Sequence, residues 1–276
     1  MAAHDEARET VAFRPLSSTF GAEVTGIDLT RPFDEASERL LREAYDRFHL
    51  LLFRGQEVSP EDQIRLARLF GSIAVREKNF VAPEIADTQH VSNKRQDGIL
   101  GLGELDFHSD QLFHKQPLTG LILYGIEVPP TGGDTRFSNT SHVYGRLPDD
   151  LKRRLEGLSC RHVYNYGEKV KELWNVEPTK EGAPEAVHPI VWTDPRTGNV
   201  GLWVNGITTV EVVGMQPEEG KALIEEVRQY IRQEPSNYTH RWRTNDLLLW
   251  NNCVLQHART PFDASQPRTL RRTPIV

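Results

Sequence analysis

The stretch Leu105-Asp106-Phe107-His108-Ser109-Asp110-Gln111 (LDFHSDQ) decides how the rest of the chain must fold. It reads as extended, and side chains at i and i+2 leave a strand on the same face. His108 and Asp110 therefore point an imidazole and a carboxylate at one spot. Two such donors can hold a metal ion but cannot complete its site. A third must arrive from far along the chain, brought in by strands that return over one another. The candidate is His257, in the short apolar strand Val254-Leu255-Gln256-His257 that follows the buried-looking run DLLLWNN. Two neutral imidazoles and one carboxylate on one face of an octahedron suit non-haem ferrous iron and leave three positions open. Zinc accepts the same donors, so ligand type alone leaves the metal open.

Upstream of this stretch, Val11 to Leu29 alternates and carries Gly21 and Gly26, as short strands and turns do. Asp34 can cap a helix with Leu40, Leu41, Ala44, Tyr45 and Phe48 at the 3.6-residue period. Leu50 to Phe53 suits a buried strand. Ser59-Pro60 opens a second helix, burying Ile64, Ala67, Leu69 and Phe70 and ending at Gly71. From Arg76 to Gly103 the periodicity is lost, and a long irregular segment of that kind reads as a lid-like insertion.

Downstream, Leu121 to Val128 (LILYGIEV) is a strong strand, ended by the turn Pro129-Pro130-Thr131-Gly132-Gly133-Asp134. Helices are expected over Pro148 to Leu158 and over Pro217 to Gln233, the latter with Leu223, Ile224, Val227 and Ile231 inward. Residues 168–186 form a second lid-like loop. Strands fill the remainder: His188 to Thr193, Leu202 to Asn205, Tyr238 to Arg243, Asp246 to Asn251, Val254 to Arg259, and a closing strand from Arg268. Strands outnumber helices and do not alternate with them one for one, which argues against a doubly wound sheet. The expected fold is mainly β with flanking helices, a two-sheet sandwich or jelly roll. One domain spans 11–276 behind a flexible tail at 1–10.

Composition narrows the class. A net charge of −6 and 26% charged residues in 276 give no basic face for nucleic acid. No apolar run reaches the roughly 20 residues that cross a bilayer. The polar start MAAHDEARET is neither a signal nor a transit peptide, and two cysteines, Cys160 and Cys253, make no disulfide scaffold. A soluble cytoplasmic protein is the expectation.

The closing strand supplies the second component. Arg268, Leu270 and Arg272 share one face, with Thr269 and Arg271 on the other, where Arg271 is read as solvated. Guanidiniums directed inward are costly without anionic partners, and Arg grips a carboxylate by two parallel hydrogen bonds.

Taken together, FHSD, the VPPTGGDTRF turn and NDLLLWNNCVLQHAR followed by RTLRRT resemble the taurine dioxygenase/TfdA-type family of Fe(II)- and 2-oxoglutarate-dependent dioxygenases. The resemblance runs from about Leu50 to the C-terminus. It implies a double-stranded β-helix (jelly roll, cupin-like), with Fe(II), 2-oxoglutarate and O2 as cofactors. It implies that His108, Asp110 and His257 ligate iron and that Arg268, eleven residues after the distal histidine, binds the distal carboxylate of 2-oxoglutarate with Thr135. Arg272 matches a position that binds an anionic substrate group, and Trp250 an aromatic lining the iron pocket. The implied reaction releases succinate and CO2 and oxidises an aliphatic C–H. Related halogenases lack the ligating carboxylate, so Asp110 argues against halogenation.

The substrate side departs from the taurine enzyme. The segment RLFGSIAVREKNF has no histidine where that enzyme uses one, and Glu104 stands where it has an amide. Taurine is therefore not the expected substrate. A small anionic organic substrate held near Arg272 is the expectation; Glu104 either meets a substrate amine or hydroxyl or is solvated on the loop, and Phe80, Phe113, Tyr164, Tyr166 and Trp203 could shape the rest. Hydroxylation leads, with desaturation or cyclisation of an amino-acid-like substrate as alternatives. Readings of other classes are a zinc hydrolase on the same three ligands and a non-catalytic small-anion-binding sandwich. The family is often dimeric or tetrameric, so a homo-oligomer is implied.

Overall fold

The computed structural model describes residues 10–74, 88–99, 103–164 and 183–276. The first half of the chain forms β1 (Ala12–Pro15), β2 (Ala22–Thr25), α1 (Glu35–Phe48), β3 (Leu50–Phe53), α2 (Pro60–Ala67), β4 (Gln89–Ser92), β5 (Gly98–Ile99), β6 (Leu105–His108), β7 (Gly120–Glu127) and β8 (Thr135–Asn139). Next come α3 (Thr140–Arg146), α4 (Asp149–Leu155), β9 (Ser159–Val163), β10 (Glu185–Pro189), β11 (Val191–Thr193), β12 (Val200–Leu202) and β13 (Thr209–Val212). The last quarter gives α5 (Pro217–Gln233), β14 (Tyr238–His240), β15 (Leu247–Asn251), β16 (Leu255–Arg259) and β17 (Thr269–Ile275).

An eight-stranded sheet in the order β1-β2-β3-β15-β7-β17-β4-β5 faces a four-stranded sheet in the order β14-β8-β16-β6. Pairing is antiparallel except at β2–β3 and β4–β5. The large sheet is covered on both faces, which is why its central strands are continuously apolar. Leu50 and Leu52 of β3 turn toward the small sheet with Leu121, Leu123, Leu248, Trp250 and Phe137. Leu51 and Phe53 turn the other way, against Leu41 and Tyr45 of α1 and Leu66 of α2. A third cluster packs α3, α4 and α5 behind the small sheet, and two further small sheets, β10-β9-β13 and β11-β12, flank it. The arrangement is the expected double-stranded β-helix with outer helices.

The helix starts obey their capping chemistry. Asp34 accepts from Ser37 N at 2.8 Å, and Ser59 and Asp62 form a capping box around Pro60. Helix α5 keeps the expected bounds and inward residues. Some expectations need correcting. Helix α2 stops at Ala67, short of Gly71, and α4 at Leu155, short of Leu158. The extended run from His188 is two strands, β10 and β11, and α3 was not anticipated. Part of the first lid-like insertion is regular, since β4 pairs with β17 and extends the large sheet. Residues 1–9 of the tail, 76–87 and 100–102 of the first insertion, and 168–182 of the second lie outside the described residues, and the end of the second, Glu185 and Ala186, belongs to β10. No helix among the described residues is long and apolar enough to cross a membrane.

Candidate functional site

The site lies between the two sheets, in a cavity lined by Val91, His108, Asp110, Leu123, Thr135, Trp250, His257, Arg259, Arg268 and Arg272, among others. Strand pairing brings the histidines together: His257 of β16 is the cross-strand partner of His108 at the end of β6. Their rings lie 4.2 Å apart, centroid to centroid. Asp110, just past β6, turns Oδ1 to both of them, 3.3 Å from His108 Nε2 and 3.9 Å from His257 Nε2. Donor atoms of all three residues lie within 4.8 Å of one another.

Protons decide what this cluster can hold. The Nδ1–H of His108 donates to the Asp106 carbonyl at 2.8 Å, which turns Nε2 into the site, toward a carboxylate oxygen. Burial pushes His257 down to about 3, aided by the nearby His108 and opposed by Asp110, so its imidazole is neutral. Burial pushes the Asp110 carboxyl up, but Arg272, the His108 contact and His257 outweigh it and hold the group well below the usual carboxylate range. Converging ring nitrogens and one negative charge fit a divalent cation. Donors about 2.1 Å from a common ion at right angles stand about 3 Å apart, close to the spacing found.

Asp110 is braced from outside. Arg272 of β17 donates to Oδ2 from Nη2 at 2.7 Å and from Nε at 3.2 Å, and its Nη1 donates to Gln89 Oε1 at 2.6 Å. Asn252 accepts from Asp110 N at 2.9 Å and donates to the Asp110 carbonyl at 3.1 Å. The chain turns through the left-handed region at Gln111, with φ of 61°, immediately after Asp110.

Arg268 enters the cavity from the start of β17 and is 3% exposed. Its Nε donates to the Gly133 carbonyl at 3.0 Å, and among the described residues it forms no ion pair. Gly133 has φ of +66°, and a Cβ there would stand 2.9 Å from the Arg268 side chain, so glycine is needed for both the turn and the arginine. Burial and then the charge of Arg259 push the guanidinium down to about 9, with Asp134 acting in the other direction. Thr135 opens β8 beside it. Trp242 Nε1 donates to its Oγ1 at 2.9 Å, which leaves the threonine O–H free to donate elsewhere. A buried cation without a carboxylate, next to an available hydroxyl, fits the distal carboxylate of a keto acid.

Arg268 and Arg272 thus face inward as expected. A bulge at this end of the β7–β17 pairing falls on β7, where Ile126 is passed over, so the alternation of β17 survives. Arg271 corrects the expectation of a solvated side chain. It is buried on the outer face, donating to Gln63 Oε1 and Val58 O at 2.7 Å each, over the Tyr124 ring. Glu104 is exposed and does not line the cavity. Trp203 stacks on Trp192, donating Nε1 to Cys253 O, and Phe113 packs edge-on against Tyr164, so neither reaches the cavity. Phe80 and Tyr166 lie outside the described residues. Asn252, Trp242 and Gln89 went unread in the sequence; only the Asn-Asn pair after DLLLW carried a signal, as a polar break between two buried strands.

Comparison with known proteins agrees with this arrangement. Residues 12–273 match the model of the family described as taurine catabolism dioxygenase TauD, TfdA family. The chain is 32% identical to the alpha-ketoglutarate-dependent 2,4-dichlorophenoxyacetate dioxygenase of Cupriavidus pinatubonensis, over 95% of this chain and 96% of the relative. It is 30% identical to the (S)-phenoxypropionate/alpha-ketoglutarate-dioxygenase of Sphingobium herbicidovorans, over 95% and 93%. Among solved structures it superposes on AAD-2 in complex with Mn(II) and N-oxalylglycine with a TM-score of 0.81 at 29% identity, covering 96% of this chain and 97% of that one. The chain belongs to the TauD/TfdA family of alpha-ketoglutarate-dependent dioxygenases.

Proposed function

We propose that the protein binds Fe(II) through His108, Asp110 and His257 and uses 2-oxoglutarate and O2 to hydroxylate an aliphatic C–H of a small anionic organic substrate. The observation that carries this reading is the convergence of His108 Nε2 and His257 Nε2 on Asp110 Oδ1, at 3.3 and 3.9 Å, with His108 Nδ1 turned away to Asp106 O. An ion held among them would draw on all three donors.

When bound, iron and the keto acid supply oxygen activation, with release of succinate and CO2. The chain supplies position. Arg268 and the Thr135 hydroxyl anchor the distal carboxylate, and Gly133 holds Arg268 in line. Trp250, fully buried beneath His257 with ring centroids 5.0 Å apart, keeps water from that side of the site. Arg272 keeps Asp110 ionised and offers its guanidinium edge to the substrate anion, with Gln89 as the neighbour that gives way. The relatives' names point to aryloxy acids, so carboxylates of that shape lead the candidates.

The test is anaerobic addition of Fe(II) and 2-oxoglutarate, expected to give the weak visible charge-transfer band of the chelate. A panel of aryloxyacetates, other carboxylates, sulfonates and amino acids then follows, scored by substrate-stimulated succinate. Gain of one oxygen in the product identifies hydroxylation, and loss of two hydrogens identifies desaturation. No band, and no oxygen-dependent succinate with any substrate, would overturn the proposal.

A further inference from the structure

Trp242 has so far appeared only as the donor to Thr135. It follows β14 by two residues, and its indole is almost wholly buried. The ring of His240, itself fully buried, meets that indole edge-on, with centroids 4.6 Å apart and planes at 88°. Gly125 of β7 leaves the ring room, since a Cβ there would stand 3.3 Å from Trp242 Cε3 and 3.0 Å from the Arg243 carbonyl oxygen. His240 is in turn held by its neighbours. Its Nδ1 is 3.3 Å from the Tyr238 hydroxyl, and its Nε2 is 3.2 Å from Asp246 Oδ2. That carboxylate also receives Arg54 Nη1 at 2.7 Å and Arg243 N at 3.0 Å. In the β14–β8 pairing the cross-strand partner of His240 is Thr135, so one strand pair aligns both the threonine and the ring that braces the indole.

An indole N–H donates and cannot accept, so its 2.9 Å bond to Thr135 Oγ1 decides how the hydroxyl works. A threonine hydroxyl otherwise rotates to suit its surroundings. With the indole proton on its oxygen, the O–H is turned away from Trp242, and Thr135 lines the cavity beside Arg268. A hydroxyl that accepts one hydrogen bond also donates more strongly, because bonds in a chain polarise one another. Trp242 is not among the residues that line the cavity, so any effect on a ligand there passes through Thr135.

We propose that Trp242 is a positioning residue for the 2-oxo acid: it presets the Thr135 hydroxyl as a donor to the distal carboxylate. The inference rests on the reading of the Arg268–Thr135 end of the cavity as the keto-acid site. A donor oriented before the ligand arrives lowers the ordering cost of binding.

Calorimetric titration of the full-length Mn(II)-loaded protein separates the outcomes. The probes are 2-oxoglutarate and oxalate, which chelates the metal but has no distal carboxylate. Trp242→Phe keeps a ring and removes the donor. It is expected to weaken 2-oxoglutarate by about 3- to 10-fold, the usual net effect of one hydrogen bond, and to leave oxalate unchanged. In a Thr135→Val background the same substitution should cause no further loss. In the Zn(II)-loaded wild type, the Trp242 indole N–H resonance should shift with 2-oxoglutarate and stay in place with oxalate. Equal weakening of both probes, a loss that adds in full to that of Thr135→Val, or an unmoved indole resonance would overturn the inference. Unchanged 2-oxoglutarate affinity in Trp242→Phe, with a loss in Thr135→Val, would overturn it while leaving the keto-acid site intact. Unchanged affinity in Thr135→Val and in Arg268→Gln would remove the keto-acid reading itself, and the inference with it.

Discussion

Asp110 divides its two oxygens between two tasks: Oδ1 meets the histidines and Oδ2 takes two donors from Arg272. Four residues earlier on the same strand face, Arg268 has no such carboxylate among the described residues, whereas Arg271 on the opposite face is satisfied by neutral acceptors. These differences predict opposite responses to the same substitution. Arg271→Met strands the Gln63 and Val58 oxygens and should cost about 2–3 kcal/mol of stability. Arg268→Met removes a buried charge that lacks a counter-ion among the described residues and should leave the ligand-free protein equally stable or up to ~1 kcal/mol more stable. It should also abolish the thermal shift produced by 2-oxoglutarate. Denaturant titrations of both variants, with and without the keto acid, check this; a large stability loss in Arg268→Met would count against an unpaired guanidinium. The direction of all three arginines followed from strand alternation. The solvation of Arg271 did not, because nothing local reveals that α2 covers the far face of β17.

At the level of elements, the strand that carries His108 is held by a helix distant in sequence. Asp106 of β6 receives Arg228 Nη2 at 2.7 Å and Arg232 Nη2 at 2.6 Å, both from α5, and Glu225 receives Nη1 of each arginine at 2.6 Å. Gly206 makes room, since a Cβ there would overlap the Arg228 guanidinium. Burial pushes the Asp106 carboxyl up, but the two arginines prevail and bring it down to about 2. Its backbone carbonyl is the acceptor that orients His108. Arg232→Ala should therefore weaken metal binding by about 10-fold to 100-fold, the usual cost of losing an outer-shell partner, while Arg232→Lys recovers part of it. Chelator competition measures the affinity, and an unchanged value in Arg232→Ala would show that β6 needs no support from α5. Elements with strong local chemistry were legible: the caps of α1 and α2, the apolar stripe of α5, the GGD turn. Helix α3 escaped notice because Thr140–Arg146 is short, with Val143 as its one buried large apolar side chain. Strand β4 did too, because Gln89–Ser92 is polar and is a strand through its pairing with β17.

The molecule as a whole carries buried histidines that the site does not use, His162 among them. His162 of β9 is fully buried, with Nδ1 beside the Thr208 and Thr209 hydroxyls at 3.3 Å. Burial first, then the charge of His188, push it down to about 3, against the backbone carbonyl of Trp203. An unfolded histidine binds a proton below about 6.5; the folded one does not until about 3. In that window the unfolded chain holds more protons, so stability falls as pH falls. By pH 4.5 His162 should account for roughly 2–3 kcal/mol of the loss. Denaturation midpoints of wild type and His162→Gln between pH 7 and 4.5 should converge on the acid side; parallel curves would show that His162 is not buried neutral. This part of the molecule was the least legible, since a histidine in a strand gives no sign of how many layers cover it. The meeting of His108, Asp110 and His257 was the most legible feature, because donor type and strand spacing restrict each other.

The Asp110–Arg272 pair has a mechanical consequence. Asp110 follows the edge strand of the small sheet, and Arg272 belongs to the centre of the large one, so a single carboxylate bridges the two halves of the sandwich. Occupation of the His108–Asp110–His257 cluster by an ion would rivet that bridge from the other side. Amide protons on β16 and β17 should then exchange with solvent more slowly and at a common rate, their openings becoming one event instead of two.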